Sequence, residues 1–161
     1  MNWYSDYFDE WKEIIETVAR ELGKTEQMVE KDTVQSIERT FVDKVFAVCD
    51  YKIQNMQDRD SRHLYDICKL MEKVKLDEAL DTLIDTVRDD RIQSKNNPSA
   101  QLEYNIPQML KEIIQSRFYE ADYRDITQKL LYENVSYDYA VENGIAIVAE
   151  SDVFLYKKGK I

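Results

Sequence analysis

The sequence has 161 residues, enough for one domain with a sizeable core, and a formal net charge of −10. This charge argues against autonomous binding of DNA or RNA, because contacts to phosphates require a basic surface. Hydrophobic residues make up 43% of the chain and only three glycines and two prolines interrupt it, which favours long helices over a sheet with many turns. The chain has no apolar run long enough to span a bilayer, so we expect no membrane partner.

The first half of the chain predicts three amphipathic helices. The first covers Asn2–Leu22, and the second can run as one long helix across 26–56. A turn at Gln57–Asp60 leads into the third, with Ser61 or Asp60 placed to cap its start. The long helix has a broad apolar face, formed by Phe41, Val42, Val45, Phe46, Val48, Cys49 and Ile53. The third helix has a narrower one, formed by Leu64, Ile67, Cys68 and Met71.

The second half of the chain predicts shorter helices, several of which begin at a capping residue. Asp77, Asn105 and Ser136 each stand where a side-chain oxygen can accept from the first turn of a helix. The helix that Ser136 opens is expected to run to about Ala149. Between these helices, Ser94–Gln101 is the clearest loop.

Together these elements predict an all-α fold. We expect a single-domain bundle of six or seven helices over residues 1–150, followed by a tail at residues 151–161. Cys49 and Cys68 both fall on apolar helical faces, which is typical of buried free thiols in a reducing cytoplasm. Because the chain has no CxxC spacing and His63 is its only histidine, we expect no zinc site.

Several segments resemble, in the same order, the AbiEii/AbiGii-type toxin nucleotidyltransferases of bacterial abortive-infection and toxin–antitoxin systems. ELGKTEQMVEKD at Glu21–Asp32 resembles the N-terminal signature of that family. ERTFVDKVFAVCDY at residues 38–51, SRHLYDICKL at residues 61–70 and the SYD segment at Ser136–Asp138 resemble its C-terminal helical half. The resemblance covers most of the chain and implies N-terminal family helices joined directly to that half.

The chain also departs from the family pattern. Family members place a nucleotidyltransferase core between the two regions, with a Gly-Ser turn and a paired-Asp metal motif on a strand. Here only five residues, Thr33–Ile37, separate Asp32 from Glu38, and no glycine is followed by serine. The only Asp-x-Asp, at Asp58–Asp60, falls in the predicted helix–helix turn. Nucleotidyl transfer needs metal held by carboxylates on a rigid element, so we expect no catalytic residue, no metal site and no enzyme.

Four residues match family motif positions that contact nucleotide or surround that contact. The resemblance makes Lys44 the lysine that contacts nucleotide phosphate and Asp66 the aspartate of a Tyr-Asp-hydrophobic motif, which Arg62 and Tyr65 complete. These four would form a remnant of a nucleotide site. Without the family, a simpler interpretation holds: Arg62 and Asp66 are i,i+4 partners on one helix, and Lys44 is a flanking lysine whose stem covers apolar surface.

Three hypotheses follow. The leading one is a non-catalytic remnant of the toxin family, an interaction or regulatory module without cofactor that forms a homodimer to cover apolar faces. The second is a nucleotidyltransferase toxin component that binds a nucleoside triphosphate and magnesium through Lys44 and Asp66. The third is an acidic helical adaptor for a basic protein partner, such as an antitoxin, to which the net charge would steer it.

Overall fold

The computed structural model describes Ile14 and residues 26–157, with side chains given from Ile37 onward. The helix predicted at Asn2–Leu22 therefore lies outside the described residues, apart from Ile14. Every regular element across residues 26–157 is helical, and no β-strand occurs among them. This confirms the all-α class predicted from composition and periodicity.

The long helix, α1, runs from Glu26 to Ile53 and organises the bundle. It ends where Asn55 takes a positive φ of 57°, close to the predicted turn at Gln57–Asp60. Six side chains of its predicted apolar face have no solvent exposure, and Ile53 packs partly buried against them. The six are Phe41, Val42, Val45, Phe46, Val48 and Cys49. A continuous helix of this length is stable because its apolar stripe is covered along these turns.

The second helix, α2, covers Arg62–Leu70 and packs along α1. Of the two expected capping residues, Ser61 does stand at the N-cap, but its side chain makes no cap hydrogen bond. Its hydroxyl instead pairs with the Thr127 hydroxyl at 2.7 Å, and its backbone N–H donates to Asp122 Oδ2 at 3.3 Å. The start of α2 is thus held by a distant segment of the chain rather than by its own cap.

The next two helices start as predicted. In α3, Glu78–Arg91, Asp77 accepts from the Leu80 N–H at 3.0 Å. The loop after it contains one short 3₁₀ turn, Pro98–Ala100. In α4, Ile106–Ser116, Asn105 accepts from the Gln108 N–H at 3.0 Å. Both caps satisfy backbone donors of a first helical turn, which is why these polar residues mark the boundaries.

A helical stretch follows α4 in three consecutive pieces: α5 at Glu120–Asp122, a π-helical stretch π1 at Tyr123–Thr127, and α6 at Gln128–Leu130. The wider π turn belongs to the region that holds Ser61 through Thr127. The change from α-helical to π-helical hydrogen bonding therefore lies where this stretch anchors the start of α2.

The last predicted helix is divided in two. Ser136 does cap α7, Tyr137–Glu142, through the Tyr139 N–H at 3.1 Å, but a new helix, α8, begins at Ile145 and ends at Glu150. Between them, a Cβ on Gly144 would lie 2.8 Å from the Ala140 carbonyl oxygen and 3.1 Å from the Cys68 N. The single helix expected from Ser136 to about Ala149 is wrong, because the chain turns where it touches the α2 backbone and then packs α8 on α4.

Candidate functional site

Lys44 and Asp66 meet where α1 and α2 pack together. Lys44 lies between the buried positions Val42 and Val45 at the edge of the α1 apolar face, so its stem follows the helix contact. Its Nζ donates to Asp66 Oδ2 at 2.8 Å. The Lys44 side chain is 24% exposed and that of Asp66 only 8%, so the ammonium reaches solvent while the carboxylate lies deeper.

The second carboxylate oxygen of Asp66 has a different environment. Asp66 Oδ1 is buried and accepts no hydrogen bond from the described part of the chain. Arg62 Nε lies 3.7 Å from this oxygen, and the Arg62 side chain is 47% exposed. The ion pair predicted from the i,i+4 spacing therefore forms.

His63 completes this group on the side of Lys44. Its Nδ1 lies 3.5 Å from Lys44 Nζ, and its ring stacks on Tyr51 of α1 with centroids 6.1 Å apart and planes 5° apart. Burial and the Lys44 ammonium lower the pKa of His63, against the opposing effects of Asp66 and Asp60. The imidazole is therefore held in its neutral form near pH 7.

Tyr65 faces a second polar group. Its hydroxyl donates to Glu133 Oε1 at 2.8 Å, and the same oxygen lies 2.5 Å from Nζ of the buried Lys69. Burial alone would raise the pKa of Glu133, but the hydrogen bonds from Lys69 and Tyr65 outweigh it and lower that pKa. Likewise, burial would lower the pKa of Lys69, yet the bond to Glu133 raises it. Both groups are therefore charged and paired.

The structure thus brings together Lys44, Arg62 and Asp66, and it turns the Tyr65 hydroxyl towards Glu133. Sequence reasoning missed His63 as a member of the group and missed the Lys69–Glu133 pair. The position of His63 near Asp66 could have been predicted from the spacing, because residues three apart on a helix lie on neighbouring faces. No spacing could have predicted the contact of Glu133, since it is 68 residues from Tyr65 in the sequence.

Asp58–Asp60 lies in the exposed turn between α1 and α2. Within the part of the chain that the structure describes, no three His, Cys, Asp or Glu side chains come close enough to hold a metal ion.

A cleft of about 630 Å³ opens beside this turn, at the C-terminal ends of α1 and α4. Its lining is mixed in charge. Lys52 lies over the Phe118 ring at 4.7 Å, and Arg117 pairs with Asp138 at 2.8 Å. The carboxylates at its edge are those of Asp58, Asp122 and Asp125.

Comparison with known families identifies the chain. The family model described as "Nucleotidyl transferase AbiEii toxin, Type IV TA system" matches residues 10–143. The chain belongs to the AbiEii family. No curated protein and no solved structure matches it. The match contains both helices of the Lys44–Asp66 group, so this AbiEii member keeps that group within its family region. None of the described helices is long and apolar enough to cross a membrane.

Proposed function

We propose that this AbiEii-family chain is a helical module that binds the phosphates of a nucleotide through Lys44 and does not transfer the nucleotide by itself. One observation carries the proposal: Lys44 Nζ is held 2.8 Å from Asp66 Oδ2, with Arg62 Nε 3.7 Å from the other carboxylate oxygen. The family resemblance gives Lys44 the role of phosphate ligand. The ion pair gives it a fixed position at the surface.

The charges of this group suit a phosphate. Lys44 and Arg62 are both partly exposed and both lie next to Asp66. An ammonium and a guanidinium on one surface form charge-assisted hydrogen bonds with phosphate oxygens. Asp66 keeps the Lys44 side chain ordered before the ligand arrives, which lowers the entropy lost on binding. A phosphate would therefore meet an oriented ammonium beside a partly exposed guanidinium.

The absence of transfer activity is part of the proposal. It rests on the missing Gly-Ser turn and paired-Asp strand motif and on the exposed position of Asp58–Asp60. The test is transfer of label from each nucleoside triphosphate to RNA or protein by the wild type and by Asp66→Ala. A product made by the wild type and lost in Asp66→Ala would replace this proposal with the nucleotidyltransferase hypothesis.

Binding is tested by calorimetric titration of each of the four ribonucleoside triphosphates, with magnesium, into the wild type, Lys44→Ala and Lys111→Ala. Lys111 is the matched control, because it is an exposed lysine on α4 paired with Glu150 at 4.0 Å. We expect binding by the wild type and Lys111→Ala, and its loss in Lys44→Ala. Equal affinity in all three variants, or no binding to any triphosphate, would refute the phosphate site.

A second proposal concerns protein partners, because the family description includes a type IV toxin–antitoxin system. We propose that the chain forms a homodimer through exposed apolar side chains next to the cleft. Ile126 and Leu130 are 55% and 68% exposed one helical turn apart, and Tyr132 is 80% exposed. In the alternative arrangement, an antitoxin with a basic surface would bind the acidic edge of the cleft. Separately, we propose a bacterial cytoplasm as the location, which the free thiols Cys49 and Cys68 fit.

Light scattering over a range of protein concentrations tests the dimer. We expect Leu130→Glu to dissociate it and Leu102→Glu, at another exposed apolar residue, to leave it intact. A wild type that is monomeric at every concentration would contradict it. For a basic partner, binding that weakens strongly with salt supports the acidic surface.

A further inference from the structure

We propose that His63 is a positioning residue for Lys44: its neutral imidazole accepts from the Lys44 ammonium at Nδ1 and holds that ammonium against Asp66. The inference rests on the proposed function only for its ligand, a phosphate. The contacts of His63 from which it is argued do not depend on what the chain binds. It assigns a role to the only histidine in the chain. His63 is not among the residues that match the family motifs, which are Lys44, Arg62, Tyr65 and Asp66.

The first step is the direction of the contact. Lys44 Nζ lies 3.5 Å from His63 Nδ1 and 2.8 Å from Asp66 Oδ2. An ammonium only donates hydrogen bonds. The contact therefore requires a lone pair on Nδ1, which places the ring proton on Nε2. Lys44 then has two fixed acceptors, both on α2, that together define where its ammonium points.

The second step is the rigidity of the ring. His63 stacks on Tyr51, with the two planes only 5° apart. Tyr51 lies seven residues after Lys44, so the same side of α1 supplies both the ammonium and the ring that supports its acceptor. The imidazole is thus confined between the two helices, and Nδ1 keeps its direction towards Lys44.

The third step is what a proton on His63 would change. The groups that face it are Lys44 and Tyr51 on α1, Asp66 on α2, and Asp60 in the turn. Protonation would convert the acceptor Nδ1 into a donor and put two positive charges 3.5 Å apart. Lys44 would lose its second acceptor, and its ammonium would be held by Asp66 alone. A neutral His63 is therefore the form that positions Lys44.

The first test uses the protein without any ligand. Because the chain has one histidine, long-range ¹H–¹⁵N spectra of untagged, labelled protein report its tautomer and pKa without ambiguity. We expect the Nε2–H tautomer, and a histidine pKa that is higher in Lys44→Met than in the wild type. An Nδ1–H tautomer, or the same pKa in both proteins, would overturn the proposal whatever the chain binds.

The second test measures ATP affinity in two variants of His63. His63→Phe keeps a ring to stack on Tyr51 but removes the acceptor, and His63→Asn places an amide oxygen near the position of Nδ1. We expect the Kd for ATP to rise about two- to tenfold in His63→Phe, the value of one hydrogen bond, and to return close to wild type in His63→Asn. Equal Kd values in the wild type and His63→Phe, or no rescue by His63→Asn, would overturn the positioning role. If the wild type binds another of the four triphosphates but not ATP, the same variants are titrated with that nucleotide. If it binds none of the four, the proposed function fails, and the spectra alone decide the role of His63.

Discussion

Asp50 on α1 and Asp66 on α2 are both buried carboxylates that face a cation, with side chains 5% and 8% exposed. Asp50 uses both oxygens: Oδ2 accepts from Arg91 at 2.7 Å, and Oδ1 accepts from the backbone N–H and hydroxyl of Ser99 at 2.8 and 2.5 Å. Asp66 uses one oxygen for Lys44, and no described group donates to the other.

This difference separates a structural group from a candidate ligand site. Asp50 ties α1 to α3 through Arg91 and to the 3₁₀ turn through Ser99, so all its acceptor capacity serves the fold. A buried acceptor left without a donor costs about 1–3 kcal/mol. In folded proteins such groups often mark a functional role or a bound water. Asp66 instead holds Lys44 through one oxygen and lies beside two partly exposed cations, which are the groups that a phosphate would contact.

The largest effect is expected for Asp50→Ala. It removes the shared acceptor of Arg91 and Ser99, and it leaves Asp43, at 2.9 Å, as the remaining carboxylate partner of Arg91. Removal of the acceptor of these three hydrogen bonds should lower the free energy of unfolding by about 3–5 kcal/mol, measured by urea denaturation. A loss no greater than that of an exposed ion pair would show that the Asp50 group does not hold the bundle together.

A smaller loss of stability is expected for Asp66→Ala, about 1–3 kcal/mol. Lys44 keeps access to water because its side chain is 24% exposed, and the unbonded oxygen is removed together with the bonded one. The same denaturation experiment measures it, and calorimetry should show weaker triphosphate binding. If Asp66→Ala is as unstable as Asp50→Ala, the Asp66 group is structural and the contrast between the two aspartates fails.

Lowering the pH should weaken the contribution to stability of the Lys44–Asp66–His63 group more than that of the Asp50–Arg91 pair. Because burial and Lys44 lower the pKa of His63 in the folded protein, the unfolded chain binds a proton more readily. The stability that neutral His63 provides is present above its unfolded pKa of about 6.5 and is lost as the pH falls through the lower folded value.

Urea denaturation of the wild type and His63→Phe at several pH values between 7.5 and 5 tests this sign. The wild type should lose stability on acidification more steeply than His63→Phe does. Asp50→Ala should keep the wild-type slope, because it leaves His63, Lys44 and Asp66 in place. Parallel pH profiles for the wild type and His63→Phe would contradict the assigned direction.

The smallest effect is expected for Asp90→Ala, which serves as the control for both buried pairs. Asp90 accepts from Arg39 at 2.8 Å, but the two side chains are 57% and 45% exposed. Such a surface pair contributes about 0–1 kcal/mol, so urea denaturation should show little change. A loss that approaches that of Asp50→Ala would mean that burial does not explain the ranking.

Local sequence signals predicted much of the fold. The apolar faces of α1 and α2 were predictable because a period of 3.6 residues places those side chains on one side of a helix. The caps at Asp77, Asn105 and Ser136 were predictable because each bond spans three residues. Ser61 followed the same pattern, yet the prediction failed because Thr127, 66 residues away, engages its hydroxyl.

The sequence by itself determined that this chain is all-α, that α1 and α2 have matching apolar faces, and, through its motifs, that it resembles the AbiEii family. These properties depend on spacing along the chain and on side-chain chemistry. Only the tertiary structure decided that Lys44 lies on Asp66, that His63 lies beside Lys44, and that Gly144 ends a helix against α2. Those contacts depend on how far one helix is displaced and rotated against another, and short-range periodicity does not encode that placement.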